Sequence, residues 1–312
     1  MSDGHFKKIA LIGVGLIGSS ISHAARRGGL VDSITGHART AETRDTAVRL
    51  GLIDTAHATA AEAVQDADLI ILCVPVGACA KVAEEIAPYL KQGSIVTDVG
   101  SVKESVVNDV APHIPSGVHF IPGHPIAGTE NSGPEAGFAE LFDNRWCILT
   151  PLDNGDAAAT AKLKAFWQAL GSDVDVMTPQ HHDMVLATVS HLPHLIAFNI
   201  VNSARHLEQV TDREVIKYSA GGFRDFTRIA ASDPVMWRDV FLNNKEAVLE
   251  MLGRFTEDLT DLQRAIRFGD GDKLERLFTE ARGVRQGIVE SGQDTAAPDF
   301  GRHAGANEPA SE

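Results

Sequence analysis

The sequence predicts an α/β protein whose first half is a doubly wound parallel sheet and whose second half is all-helical. Short apolar runs alternate with helical patterns up to about residue 177, an arrangement typical of βαβ units. A glycine-rich turn joins the first predicted strand to the first predicted helix. Beyond Thr178-Pro179 the strand patterns end and only helical ones follow.

The predicted strands of the first half are short. The apolar run DLIILCV over 68–74 lacks the alternation of a half-buried strand, so it predicts a strand buried on both faces, as in a parallel sheet. The other strands are expected at 7–12, 33–36, 95–98, 118–121, 146–149 and 173–177. Helices are expected from the glycine-rich turn to Arg27, at 41–50 and at 157–170.

The second half is predicted to open with a helix at Thr178-Pro179, because Thr is a favourable N-cap and Pro fits the first helical position. Asp233-Pro234 repeats this pattern before a helical stretch to about Phe268, and a last helix is expected over 272–288. The expected domains are therefore 6–179 and 180–290. Residues 291–312 lack periodicity, which predicts a disordered tail.

Composition excludes several classes of protein. The 312 residues include 42 acidic and 28 basic side chains, a formal net charge of −14, which argues against a nucleic-acid-binding or anionic-membrane surface. No uninterrupted stretch reaches the roughly 18 apolar residues of a membrane helix. Three cysteines without a CxxC pair suit a reducing compartment, so we expect a cytoplasmic protein.

The segment over 13–18 is a G-x-G-x-x-G motif placed between the first strand and the first helix. Its glycines allow a tight turn and a close backbone approach, so that a pyrophosphate can lie on the helix N-terminus. A purely structural glycine turn is the alternative. The residues assigned to the dinucleotide cofactor are Gly13, Gly15, Leu16, Ile17 and Gly18, with Val74 and Pro75 at the end of a nearby strand.

The choice between NAD and NADP depends on the loop after the second strand. An acidic residue about 20 positions after the glycines normally binds the adenosine ribose hydroxyls. Here that position falls at Ala38, and no acid stands nearby in GHART. Arg39 and Thr40 are candidates for contact with a 2′-phosphate, although Arg39 is equally well explained as a solvated loop residue.

Two segments place candidate catalytic side chains at strand ends, where ligands bind in such sheets. DVGSVKE over 98–104 presents Ser101, which together with Glu104 also matches an S-x-x-E capping box. GHPIAGTE over 123–130 presents His124 between a Gly and a Pro. A histidine held in this way is suited to general acid–base catalysis.

A third segment combines SHLPH over 190–194 with GGFRDFTR over 221–228. Histidines and arginines in apolar surroundings predict recognition of a carboxylate, for which the planar guanidinium is suited. Trp237 either covers this site or belongs to the core. His181-His182-Asp183 has metal-ligand residue types, but zinc sites need three or four convergent ligands, so we expect no metal.

Together these motifs resemble the prephenate/arogenate dehydrogenase family of tyrosine biosynthesis. The similarity covers roughly residues 6–290, with all motifs in order in both halves. It implies a Rossmann domain, a helical domain that builds a homodimer, and NAD(P)-dependent oxidative decarboxylation of prephenate to 4-hydroxyphenylpyruvate, of arogenate to tyrosine, or both. NAD is the family default, and the missing acid near Ala38 leaves NADP open.

The resemblance also implies roles for single residues. His124 would accept the proton of the substrate's 4-hydroxyl as the hydride leaves for the nicotinamide. Ser101 would form hydrogen bonds with His124 and with the same hydroxyl. Arg228 would bind a substrate carboxylate, with Asp225 orienting that arginine or its surroundings. The further residues expected to line the substrate pocket are Glu130, Trp237 and one of His191 and His194.

Two alternative functions fit parts of the sequence. A β-hydroxyacid or 6-phosphogluconate-type dehydrogenase would need a catalytic lysine on a helix of the second domain, and Lys217 and Lys245 stand in no convincing motif. A redox sensor that binds dinucleotide without turnover would leave His124, Ser101 and Arg228 unexplained as a group. No chorismate mutase or ACT segment is evident, which leaves feedback control by tyrosine open.

Overall fold

The structure, a computed structural model, describes residues 4–129, 131–208, 218 and 220–290. The first six strands are β1 Phe6–Ile12, β2 Val31–His37, β3 Thr55–His57, β4 Leu69–Leu72, β5 Ile95–Asp98 and β6 His119–Phe120. They form one parallel sheet in the order β3-β2-β1-β4-β5-β6. This is the doubly wound arrangement that the sequence predicts.

Both faces of this sheet are covered by helices, which explains the continuous apolar strands. All four residues of β4 are buried, as expected for the run over 68–74. In β1, Ile9 and Leu11 belong to one core cluster, while Ala10 and Ile12 belong to the cluster on the opposite face. The helices of this half are α1 Leu16–Arg27, α2 Ala41–Arg49, α3 Ala60–Ala63, α4 Cys79–Ile86, α5 Glu104–Val110 and α6 Ala157–Ala169.

The last strands of the first half leave the main sheet. β7 (Gly123–Pro125), β8 (Trp146–Leu149) and β9 (Asp173–Val176) form a separate three-stranded sheet in that order. β7 pairs antiparallel with β8, and β8 pairs parallel with β9. The sequence placed 146–149 and 173–177 in the doubly wound sheet. The short β6 ends before Pro122 and is the last strand of the main sheet. β8 pairs with the antiparallel β7 instead of with β6, so β8 and β9 lie in the second sheet.

The second half is helical in the residues described. Its elements are α7 Pro179–Leu186, a π-helical turn Ala187–His191, α8 Leu192–Glu208, α9 Gly221–Thr227, α10 Pro234–Asn243, α11 Lys245–Phe268 and α12 Gly271–Glu290. Thr178 and Asp233 cap α7 and α10 through their side chains, as the sequence predicts. The stretch expected to run to Phe268 is interrupted at Asn244, which lies between α10 and α11.

One helical run carries apolar residues that this chain leaves uncovered. By length and composition alone Pro179–His206 is apolar enough to cross a membrane, yet only 22% of its most apolar window is buried. The search of the sequence for uninterrupted apolar stretches did not find this run, because polar residues are scattered along it. Its first part, α7, packs against α5 and carries side chains of the candidate active site.

Candidate active site

The glycine-rich loop between β1 and α1 is shaped to receive an anion. Gly13 has φ +101°, and a Cβ there would collide with the carbonyl oxygen of Cys73; a Cβ on Gly18 would collide with the carbonyl of Gly13. A Cβ on Gly15 would have no atom within 4 Å, so open space lies beside the start of α1. That helix has no side-chain cap, which leaves the first-turn N–H groups for a ligand. The loop therefore fits a dinucleotide pyrophosphate.

The loop after β2 lacks a carboxylate at the expected position. Thr40 caps α2, its hydroxyl accepting from Thr43 N at 3.1 Å. Arg44 donates from Nη1 to Ala38 O at 2.7 Å and fixes the loop backbone. Arg39 is exposed and forms no side-chain hydrogen bond or ion pair with the residues described. Its guanidinium is therefore free for a ligand, whereas Thr40 has a structural role.

His124 stands on β7 and is almost completely buried. Its Nδ1 lies 2.8 Å from His182 Nε2, and His182 Nδ1 lies 2.7 Å from Asp183 Oδ1. His182 and Asp183 belong to α7, in the other half of the chain. We call these three residues the His–His–Asp chain.

Hydrogen-bond chemistry fixes the protons of the His–His–Asp chain. The Asp183 carboxylate only accepts, so His182 Nδ1 carries a hydrogen, and a neutral His182 then accepts at Nε2. His124 Nδ1 must donate to that nitrogen. The lone pair of the neutral His124 imidazole is therefore on Nε2, which has no hydrogen-bond partner among the residues described. A lone pair held in this way is that of a general base.

The surroundings keep both histidines neutral. Burial is the first cause that lowers the pKa of His124 well below its usual value, and His182, Lys103 and His191 add to it. Burial also lowers the pKa of His182, against the opposing effect of its hydrogen bond to Asp183. Since desolvation disfavours the charged imidazolium, His124 is ready to accept a proton at neutral pH.

Asp183 also caps α5, and this corrects one expectation. Its two carboxylate oxygens accept from Lys103 N at 2.8 Å and from Glu104 N at 2.9 Å. The predicted capping box of Ser101 and Glu104 does not form: α5 begins after Lys103, without a side-chain cap from its own residues. The carboxylate from α7 takes the place of that box and leaves the Ser101 hydroxyl outside the helix.

The histidines of SHLPH differ in exposure. His191 is buried, contacts Asn244 Nδ2 through Nδ1 at 3.0 Å, and has a pKa lowered to about 4, chiefly by burial. His194 is half-buried and stacks on Trp237 with ring centroids 3.7 Å apart. Trp237 is itself buried and packs on Val102, beside Ser101. Trp237 is thus a core residue that also forms a wall for His194.

Arg228 and Asp225 are separate in the structure. Asp225 Oδ1 pairs with Arg224 Nε at 3.0 Å on the surface, and no ion pair joins Asp225 to Arg228 within the described ranges. Arg228 is close enough to His194 to lower its pKa, after the larger effect of burial. Ser101 is half-buried, and between described residues no hydrogen bond joins its hydroxyl to His124. Glu130 and Lys217 lie outside the residues that the structure describes.

The pairing of His182 and Asp183 with His124 was missed from the sequence, where these residues suggested only a weak metal motif. The described residues contain no group of three or more His, Cys, Asp or Glu side chains placed to hold a metal ion. The available signal was the spacing HHD directly after a Thr-Pro helix start. That signal puts His182 and Asp183 in the first turn and a half of α7, but it does not say which segment they face.

Comparisons with known proteins place most of this chain in one family. Family models match residues 21–176 as a prephenate dehydrogenase nucleotide-binding domain and residues 178–280 as a prephenate dehydrogenase dimerization domain. A cyclohexadienyl dehydrogenase of Zymomonas mobilis is 42% identical over 90% of this chain and 95% of its own. A prephenate dehydrogenase of Bacillus subtilis is 34% identical over 90% of this chain and 76% of its own.

Solved structures give the same result. The crystal structure of prephenate dehydrogenase from Aquifex aeolicus with hydroxyphenyl propionate and NAD+ has a TM-score of 0.85 at 35% identity, covering 90% of this chain and 98% of that one. A Synechocystis arogenate dehydrogenase has a TM-score of 0.77 at 30% identity, covering 90% and 99%.

The open glycine-rich loop of the doubly wound sheet and the buried neutral histidine on β7 are typical of a dehydrogenase that uses a nicotinamide dinucleotide. The helical half completes the surroundings of that histidine. The chain belongs to the prephenate dehydrogenase family. It is an oxidoreductase of the kind that performs NAD(P)-dependent oxidative decarboxylation.

Proposed function

We propose that this chain oxidatively decarboxylates prephenate, arogenate or both, with the Nε2 atom of His124 as the general base. The observation that carries this proposal is the His–His–Asp chain, because its hydrogen bonds leave the basic lone pair on Nε2. The bound nicotinamide supplies the hydride acceptor. Gly13, Gly15, Leu16, Ile17 and Gly18, together with Val74 and Pro75 after β4, would hold the dinucleotide.

The protein's chemical task is small, because loss of the ring carboxylate as CO2 aromatises the ring. His124 takes the proton of the 4-hydroxyl, and the Nδ1–H bond to His182 stabilises the resulting imidazolium. Ser101, half-buried in the loop after β5, would hydrogen-bond the same hydroxyl. What remains is to orient the substrate and to meet its negative charges with cations.

We infer that His194, rather than His191, faces the substrate. Both ring nitrogens of His191 are buried, and its Nδ1 is occupied by Asn244. His194 bonds Ser190 O through Nδ1 at 2.8 Å and lies near Arg228, with Trp237 beneath its ring. Its Nε2 is then free to contact a substrate side chain.

Steady-state turnover tests the function directly. Purified protein is incubated separately with prephenate and arogenate, each with NAD+ and NADP+, while reduced cofactor is followed by absorbance and CO2 is trapped. We expect stoichiometric formation of both products with at least one substrate. Absence of turnover in all four combinations would refute the proposal.

Arg228→Ala should raise KM about 10- to 100-fold, because a charge-assisted hydrogen bond to a carboxylate contributes about 1.5–3 kcal/mol. The value of kcat should fall much less, since Arg228 lies outside the His–His–Asp chain. Arg224→Ala is the matched control, because that exposed arginine pairs with Asp225 and with no other acid among the residues that the structure describes. Equal KM values for the Arg228 variant and the wild type would remove Arg228 from the binding site.

We infer that NADP is accepted beside NAD, because the loop after β2 offers the free Arg39 and no carboxylate that would repel a 2′-phosphate. Arg39→Ala should weaken NADPH binding about tenfold, or ~1.4 kcal/mol, and leave NADH binding unchanged. Fluorescence titration of each reduced cofactor measures both constants. Arg49→Ala, at the other end of α2, is the control. An unchanged NADPH affinity in the Arg39 variant would exclude the phosphate contact.

We propose a cytoplasmic homodimer built by the helical half. Large apolar side chains are exposed along α11 and α12, among them Leu259, Ile266, Phe268 and Phe278, and a monomer rarely leaves such a surface in water. The apolar run Pro179–His206 carries the buried His182, Asp183 and His191 of the site, which favours a protein partner over a lipid one. Sedimentation equilibrium without detergent should give twice the chain mass; a monomer would contradict the proposal.

A further inference from the structure

A lysine–aspartate ion pair lies completely buried beneath the candidate active site. Lys103 Nζ contacts Asp98 Oδ2 at 2.5 Å and donates a second hydrogen bond to Gly123 O at 2.7 Å, and both charged side chains have zero exposure. Taking two charges out of water is unfavourable unless geometry and further hydrogen bonds compensate. The proton path proposed above uses neither residue.

The ion pair holds the backbone next to both candidate catalytic residues. Asp98 Oδ1 accepts from Gly123 N at 3.2 Å, so both polar backbone groups of Gly123 are fixed, and the next residue is His124. Asp98 Oδ2 accepts from Gly100 N at 2.8 Å, next to Ser101. A Cβ on Gly123 would come within 3.1 Å of Asp98 O, so any larger residue there would have to displace the backbone of Asp98 slightly.

The same lysine also reaches the helical half. The backbone N–H of Lys103 donates to Asp183 Oδ1, the atom that also accepts from His182 Nδ1. One residue therefore connects the end of β5, strand β7 and helix α7. A displacement of Lys103 would move all three supports of His124 at once.

The charge of Lys103 acts on the imidazole as well. The titratable groups that lower the pKa of His124, after burial, are His182 on α7, Lys103 after β5, and His191 in the π-helical turn. The pKa of His182 is likewise lowered by burial and by Lys103, whereas Asp183 and Asp98 raise it. Cys147 on β8 lies beside the backbone of His124 and its thiol pKa is raised by burial, so it stays uncharged.

We propose that Lys103 and Asp98 are positioning residues that fix His124 and Ser101 for the reaction, and that Lys103 places a positive charge beside the base. This inference rests on the proposed role of His124 as a general base. Lys103 itself touches neither substrate nor cofactor in this scheme, since its ammonium group is enclosed by Asp98 and Gly123.

Lys103→Met should move the acid limb of the kcat/KM pH profile to higher pH, because the substitution removes a nearby cation that disfavours the imidazolium. At the plateau kcat should fall at least tenfold, because Gly123 O loses its side-chain donor and the buried Asp98 carboxylate loses its counter-ion. Lys103→Arg retains the charge, so its acid limb should stay at the wild-type pH even though the larger side chain lowers kcat.

Lys91→Met is the matched control, because it breaks another Lys–Asp pair of the same sheet, Lys91 Nζ to Asp68 Oδ1 at 2.6 Å, on the surface. It should change neither the acid limb nor kcat. Circular dichroism and NADH affinity establish that each variant is folded. A folded Lys103→Met enzyme with the wild-type pH profile would overturn the inference.

Asp98→Asn decides the matter if Lys103→Met does not fold. This variant retains the cation, so kcat should fall while the acid limb does not move upward; an upward shift would overturn the inference. The failure of the proposed function is distinguishable, since it appears as absence of turnover in the wild type. Normal wild-type turnover with an unmoved limb in the lysine variant refutes only the role of the ion pair.

Discussion

His124→Asn should lower kcat by about 10²- to 10⁴-fold, the usual contribution of a positioned general base, and leave KM within a few-fold of the wild-type value. Asn fits the space on β7 but offers no basic lone pair toward the 4-hydroxyl. Substrate affinity survives because the carboxylates are proposed to bind elsewhere, at Arg228. Steady-state kinetics over a wide substrate range separate the two parameters, and binding of 4-hydroxyphenylpyruvate checks the pocket.

His181→Asn is the control for this variant. His181 precedes His182 on α7 but is exposed, and only its backbone N–H takes part in the cap of that helix. Its replacement should leave both kinetic parameters unchanged. A His124 variant with wild-type kcat would show that another group accepts the proton.

Asp183→Asn should lower kcat by about 10²- to 10⁴-fold as well, through the tautomer of His182. Both carboxylate oxygens accept hydrogen bonds from N–H groups, so the amide nitrogen of Asn must face a donor. When the amide nitrogen takes the place of Oδ1, it donates to His182 Nδ1, so His182 Nδ1 no longer carries the hydrogen and the lone pair of His124 is no longer held on Nε2. Loss of one capping bond should also lower the free energy of unfolding by about 1 kcal/mol.

Asp233→Asn is the matched control, because Asp233 also caps a helix with its carboxylate, accepting from Val235 N and Met236 N. Asn is an equally favourable N-cap, and Asp233 makes no contact with the His–His–Asp chain. Kinetics and thermal unfolding of both variants separate the two roles. If Asp183→Asn lost stability but retained kcat, the carboxylate would be a cap and nothing more.

Local signals explain what the sequence predicted well. The apolar run over 68–74, the glycine motif over 13–18 and the N-caps Thr178 and Asp233 each depend on neighbours within a few residues. Each of them therefore appears in the structure close to its predicted position. The doubly wound sheet follows from the succession of these local elements.

The features that the sequence missed depend on distant contacts. Ser101 and Glu104 match a capping box, yet the cap of α5 comes from Asp183, about 80 positions away. Likewise His182 meets His124 only because β7 leaves the main sheet and packs beside α7. The spacing of residues along the chain does not indicate such long-range contacts, and a single sequence offers no covariation from which to infer them.

The cap that Asp183 provides has a consequence for how this enzyme can be divided. Helix α5 belongs to the sheet half, but Asp183, the carboxylate that accepts hydrogen bonds from the backbone N–H groups at its N-terminus, belongs to the helical half. A fragment cut before Pro179 would lack both that cap and the histidine that orients the base. The two halves therefore depend on each other. A hybrid of two relatives joined at this border should be active only when its helical half carries an acid at the position of Asp183.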